Sequence, residues 1–89
     1  MSDYQIKITY CVPWDYSQHA VSAANDLLSN YQHVIKDLSL LTGDKGIFDV
    51  EVNGTKIYSK HETGRHAEPG EVLEIFTELV GPEISIYGT

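Results

Sequence analysis

Eighty-nine residues, 42% of them hydrophobic and 21% charged, bound the chain to one soluble domain (1–89) with a modest core. Thirteen acids against six bases leave a formal charge of −7, which argues against nucleic acid or an anionic membrane as partner. The single cysteine rules out an intramolecular disulfide, and no apolar run approaches the ~20 residues of a bilayer span. The N-terminus is polar from Ser2 and lacks a signal peptide's apolar core, so the expected compartment is a reducing cytoplasm.

Tyr4, Ile6, Ile8 and Tyr10 alternate with Gln5, Lys7 and Thr9, the period of a half-buried strand. Cys11-Val12-Pro13-Trp14 then forms a turn, with Pro13 placed to set the chain for helix entry and Asp15 or Ser17 as N-cap. From Tyr16 the positions Ala20, Ala23, Ala24, Leu27, Leu28 and Tyr31 recur at helical spacing over about four turns. The three alanines let that helix lie close to a sheet, and Asn30 is its expected stop.

A second strand is expected over 33–41, then a loop over Thr42–Gly46. Phe48, Val50 and Val52 share one face of a third strand. Asn53-Gly54 is the strongest hairpin signal in the chain, because both residues tolerate the positive φ of a type I′ turn, and 55–59 returns as the fourth strand. Residues 60–70 read as an exposed loop. Val72, Leu73, Ile75, Phe76, Leu79 and Val80 mark a short last helix ended by Gly81-Pro82. Ile84, Ile86 and Tyr87 either extend the sheet or dock on it.

Strand, helix, strand, hairpin and helix in this order predict an α/β sandwich. Its first two strands are parallel through a right-handed crossover, and its hairpin is antiparallel. That arrangement is thioredoxin-like, with Cys11 where such a fold places its active thiol. A thiol at a helix N-terminus gains thiolate character from the exposed N–H groups and the dipole. The position for a second thiol, three residues on, holds Trp14. A self-contained dithiol cycle is therefore excluded, while a mixed disulfide with glutathione or a sulfenic acid remains open to Cys11. Against this stands the common role of a free cysteine as a small buried hydrophobe.

Tyr10 and Tyr16 flank the turn with hydroxyls in reach of hydrogen bonding. Trp14 offers either a shield for the sulfur or an anchor for a protein partner. Lys60 and Arg65 form a basic pair suited to a carboxylate of glutathione. His61 and His66 with Glu62 and Glu68 have no compact metal-ligand spacing, and His19 is expected to face solvent. No bound cofactor is expected.

Three segments resemble the selenoprotein W/T/H group, the Rdx family: Ile8-Thr9-Tyr10-Cys11-Val12-Pro13-Trp14, Gly46-Ile47-Phe48-Asp49-Val50-Glu51-Val52-Asn53-Gly54, and Tyr58-Ser59-Lys60 with Glu62-Thr63-Gly64-Arg65. The resemblance implies a thioredoxin-like fold and a thiol redox role linked to glutathione. It carries over one site residue, Cys11, because Trp14 replaces the second cysteine or selenocysteine. Arg65-His66-Ala67 also stands where many members have an aromatic-proline pair, leaving Pro69 as the remaining candidate for a cis-proline.

Two readings follow. In one, Cys11 performs single-thiol redox chemistry with glutathione or a protein thiol, with Pro13, Trp14, Tyr10, Lys60 and Arg65 around it. In the other, a redox fold without catalysis holds a protein partner on its Trp14 surface. Solvent exposure separates them: a buried sulfur with an exposed indole favours binding, and the reverse favours redox. The oligomeric state is left open, with the hairpin's edge strand the place a dimer would use.

Overall fold

The computed structural model describes residues 4–88. Its elements are β1 (Tyr4–Cys11), α1 (Ser17–Tyr31), β2 (Ile35–Gly43), β3 (Phe48–Val52), β4 (Thr55–Ser59), α2 (Lys60–Thr63) and α3 (Glu71–Val80). The sheet order is β2-β1-β3-β4, so the first strand in sequence lies inside the sheet. β1 runs parallel to β2 and antiparallel to β3, and β3 pairs antiparallel with β4. The expected mixed sheet is the observed one.

The period of β1 decides which face is covered. Ile6 and Ile8 are buried under the helices, whereas Gln5 and Lys7 on the other face are exposed. Phe48, Val50 and Val52 continue the covered face across β3. From α1 come Ala20, Ala23, Ala24, Leu27 and Tyr31, and from α3 Val72 and Phe76. The small residues of α1 bring its backbone close to the sheet, and each fully buried Ile, Leu or Phe contributes roughly 1.5–3 kcal/mol of transfer free energy. Leu28, read as part of the same stripe, lies at its rim, 38% exposed.

Asn53 and Gly54 take φ values of 51° and 84°, the signs a type I′ turn requires. Asn53 does more than turn the chain. Its N–H donates to the Gln5 carbonyl at 2.8 Å, and its Oδ1 accepts the Gln5 N–H at 2.8 Å. The hairpin tip is thereby clamped to the start of β1.

Several expected boundaries move. α1 begins at Ser17 with Tyr16 as its N-cap and no side-chain cap, so neither Asp15 nor Ser17 caps it. The Ser17 hydroxyl donates to Asp15 Oδ1 at 2.8 Å, so that carboxylate oxygen is engaged by the side chain of the first helical residue and caps no backbone N–H. β2 lies two residues beyond its expected span; as an edge strand it has no two-sided burial to sharpen its alternation. Part of the expected 60–70 loop is helical, because Ser59 Oγ accepts the Glu62 N–H and Gly64 at φ 79° closes the turn. Ile84 and Tyr87 dock rather than extend the sheet: Tyr87 N–H donates to the Asn30 carbonyl at the end of α1.

Candidate functional site

Cys11 closes β1 opposite Gly43 of β2. Val12 N–H continues that ladder to the Gly43 carbonyl at 3.0 Å. The chain then reverses in a β-turn over 12–15, closed by Asp15 N–H on the Val12 carbonyl at 2.9 Å. Pro13 occupies the second turn position, where its fixed φ suits the bend. Its role is therefore in this turn and not in the first turn of the helix. Asp15 leaves the turn at φ 55°, a left-handed value that aspartate tolerates better than most residues. Tyr16 N–H then returns to the Cys11 carbonyl at 2.9 Å.

The thiol is fully buried, at 0% exposure. Val12–Tyr16 separate it in sequence from the first helical residue, Ser17, so the expected junction of thiol and helix start is replaced by a separate turn. The sulfur's donor comes from another loop: Gly46 N–H donates to Cys11 Sγ at 3.2 Å. Gly46 also carries the indole. At φ 76° it has no Cβ, and one built there would stand 2.6 Å from Trp14 Cζ3. One glycine thus touches the sulfur through its amide and the indole through its α-carbon. Trp14 is 60% exposed and Val12, beside it, 51%.

The other expected site residues distribute unevenly. Tyr10 packs at the edge of the core cluster on the Ile6–Ile8 side, so its ring serves burial and the sulfur takes its bond from Gly46 instead. Tyr16 meets Trp14 edge-on at 6.1 Å, and Lys60 Nζ stands 5.6 Å from the Tyr16 centroid. Arg65 turns elsewhere, forking onto both Glu71 carboxylate oxygens at 2.7 and 2.9 Å and donating to the His66 carbonyl. Its fork is already filled by a carboxylate, so the basic pair Lys60/Arg65 is not an open receptor for another one. Arg65 and the Glu68 N–H hold the Glu71 carboxyl well below the usual range, at about 2.

Two histidines join the same neighbourhood. His19 stays on the surface as expected, yet its ring stacks on His66 at 3.8 Å, and His66 meets Tyr16 edge-on at 4.3 Å. Burial, then the charges of His19 and Lys60, push the His66 imidazole below its ordinary pKa. Beside this stack lies a cavity of about 170 Å³ lined by His19, Ser22, Asp26, Phe48, Glu68 and Val72. Among the described residues no three His, Cys, Asp or Glu side chains converge as a metal set, and none of the peptide bonds, including that before Pro69, is cis. His19 and His66 lie 47 positions apart in the chain, so no local pattern announced their stack.

The sequence pattern that defines the Rdx family matches residues 5–78. This chain belongs to the Rdx family. Two solved structures share its fold: a selenoprotein W-related protein from Vibrio cholerae and a protein from Bordetella parapertussis. The first has a TM-score of 0.82 at 21% identity, covering 90% of this chain and all of the other. The second has a TM-score of 0.80 at 22% identity, covering 86% and 98%. Curated proteins return no match. The Rdx chain is therefore a thioredoxin-like member of a redox family whose turn carries one sulfur and one indole. No helix among the described residues is long and apolar enough to cross a membrane.

Proposed function

We propose that this Rdx protein works as a recognition module, holding a protein partner on the Trp14 surface while Cys11 serves the structure of the turn. The observation that carries the reading is the pairing of a fully buried Sγ with a 60% exposed indole. A nucleophile or a leaving-group sulfur must meet its partner in line, which a sulfur at 0% exposure does not permit without movement of its cover. An exposed Trp fixed from beneath by Gly46 has the opposite properties: large apolar area, few rotamers to freeze, and a rigid base. Val12 and Pro13, both exposed, extend the apolar patch.

A second reading keeps a specific support. The Gly46 N–H aimed at Sγ at 3.2 Å is the kind of donor that stabilises a thiolate. On this reading, once the 44–47 loop moves aside, the Cys11 thiolate attacks one sulfur of glutathione disulfide, forming the Cys11–glutathione disulfide as the S–S bond breaks and one glutathione thiolate leaves.

Incubation of the folded chain with excess glutathione disulfide, followed by mass spectrometry, tests the two. The recognition reading expects Cys11 to be modified ~100-fold or more slowly in buffer than in urea, because access requires opening of the fold. Modification in buffer at the rate of the unfolded chain overturns it and leaves the single-thiol redox reading standing.

A further inference from the structure

The rings of His19 and His66 lie 3.8 Å apart with their planes within 4°. His19 projects from the first turn of α1, and His66 from the loop between α2 and α3. Parallel stacking at that separation suits two neutral imidazoles, or one neutral and one charged. Two imidazolium rings would press like charges together at contact distance. His66 Nδ1 is moreover buried with no hydrogen-bond partner among the described residues. In the neutral ring that atom is a weakly demanding acceptor; in the charged ring it is a donor with nothing to receive it.

We propose that the His19–His66 stack is an acid-sensitive clasp that keeps the 65–70 loop closed on Tyr16 and so regulates the Trp14 surface. The regulatory part rests on the recognition reading above; the clasp itself does not.

The groups facing the pair decide its sense. From α2, Lys60 brings a cation over Tyr16. From its own loop, Arg65 binds the His66 carbonyl, but its charge is matched by Glu71. From β4 the Tyr58 hydroxyl binds the Arg65 carbonyl at 2.6 Å, and from β3 the uncharged Phe48 faces both imidazoles. Asp26 and Glu68, the acidic groups on that side, line the cavity beside His19. Burial and the neighbouring cations disfavour a proton on His66, consistent with its lowered proton affinity. The doubly charged stack is thus reached only in acid.

What gives way is confined by the anchors. Arg65 is pinned through its carbonyl to Tyr58 and through its fork to Glu71, and Glu68 N–H is pinned to Glu71 Oε1 at 2.8 Å. Between these points His66 is held by its carbonyl and by ring contacts with Tyr16, Phe48 and His19. Protonation of both histidines swings the His66 ring away while the anchors stay. Tyr16, packed between His66 and Trp14, then loses one side of its support.

Trp14 is the only tryptophan, so its emission reads this event directly. Titration of the full chain from about pH 7.5 to about pH 5 is expected to change the emission reversibly, with a midpoint below the ~6.5 of a free imidazole and unchanged far-UV circular dichroism. His66→Phe keeps a ring without a titrating group and is expected to abolish the change. His19→Phe removes the opposing charge and is expected to raise the midpoint towards 6.5. A response that persists in His66→Phe, or no response in the unaltered chain, overturns the proposal. Should a variant fail to fold, the His66 Hε1 resonance of the unaltered chain decides: an ordinary titration at 6.5 overturns the clasp. None of these readouts involves Cys11, so the clasp and the recognition reading fail independently.

Discussion

Two loops flank Tyr16, and they are held by different forces. The turn over 12–15 is fixed by main chain: three backbone hydrogen bonds of 2.9–3.0 Å and a glycine beneath the indole. The 64–70 loop is fixed by side chains: the Arg65–Glu71 fork, the Tyr58 and Thr63 hydroxyls on the Arg65 carbonyl, and the stacked histidines. Backbone bonds do not titrate, whereas every one of those side-chain contacts except the hydroxyls changes with pH. One side of the site is therefore a rigid platform and the other a device that conditions can loosen.

The largest effect should come from the platform. Gly46→Ala places a β-carbon at positive φ against the indole, and is expected to cost about 2–3 kcal/mol in a urea denaturation curve while shifting Trp14 emission. A loss within measurement error would mean that the indole is not seated on this glycine. Next in size is Tyr58→Phe, which removes the donor to the Arg65 carbonyl and should cost about 1 kcal/mol with little change at Trp14. An equal effect on both loops would break the distinction between them.

The charge effects are smaller and are read as pH slopes. Glu71 has its pKa depressed to about 2, so its stabilisation is complete above about 4.5 and is lost as pH falls towards 2. Glu71→Gln should flatten the midpoint of unfolding across that window. His66 also has a depressed pKa, but it is a base, so the unfolded chain takes up its proton first. Stability therefore rises with pH between the folded value and the ordinary 6.5, and is eroded below it. The His66→Phe chain should lack that slope below about pH 6.5, measured by thermal unfolding at closely spaced pH values.

What could be read from the sequence follows the range of the forces involved. β1, α1, the Asn53-Gly54 hairpin and α3 declare themselves because period, turn chemistry and breakers are local signals. α2 was also written locally: Ser59-Lys60-His61-Glu62 has the Ser-x-x-Glu spacing of a capping box, with Gly64 following, yet four helical residues were hidden by the polar composition around them. The burial of Cys11 was not legible, because its hydrogen-bond donor comes from a loop 35 positions away. The same holds for Arg65, whose preference for Glu71 over an incoming carboxylate depends on how the loop closes. Trp14 carried its message differently: the missing second thiol was visible at once, but its seat on Gly46 was not.

Gly46 sits on the connector between two sub-assemblies, the β1-α1-β2 unit and the β3-β4 hairpin, which join through β1 and β3. Its bond to the sulfur joins the end of β1 to the connector that leaves β2, so it can form only when that connector has settled against β1. Cys11 is thus a built-in clock for the closing of this connector: a brief pulse of alkylating reagent at successive times of refolding is expected to label it until the connector settles, and the fall in labelling would time that step against the recovery of Trp14 emission.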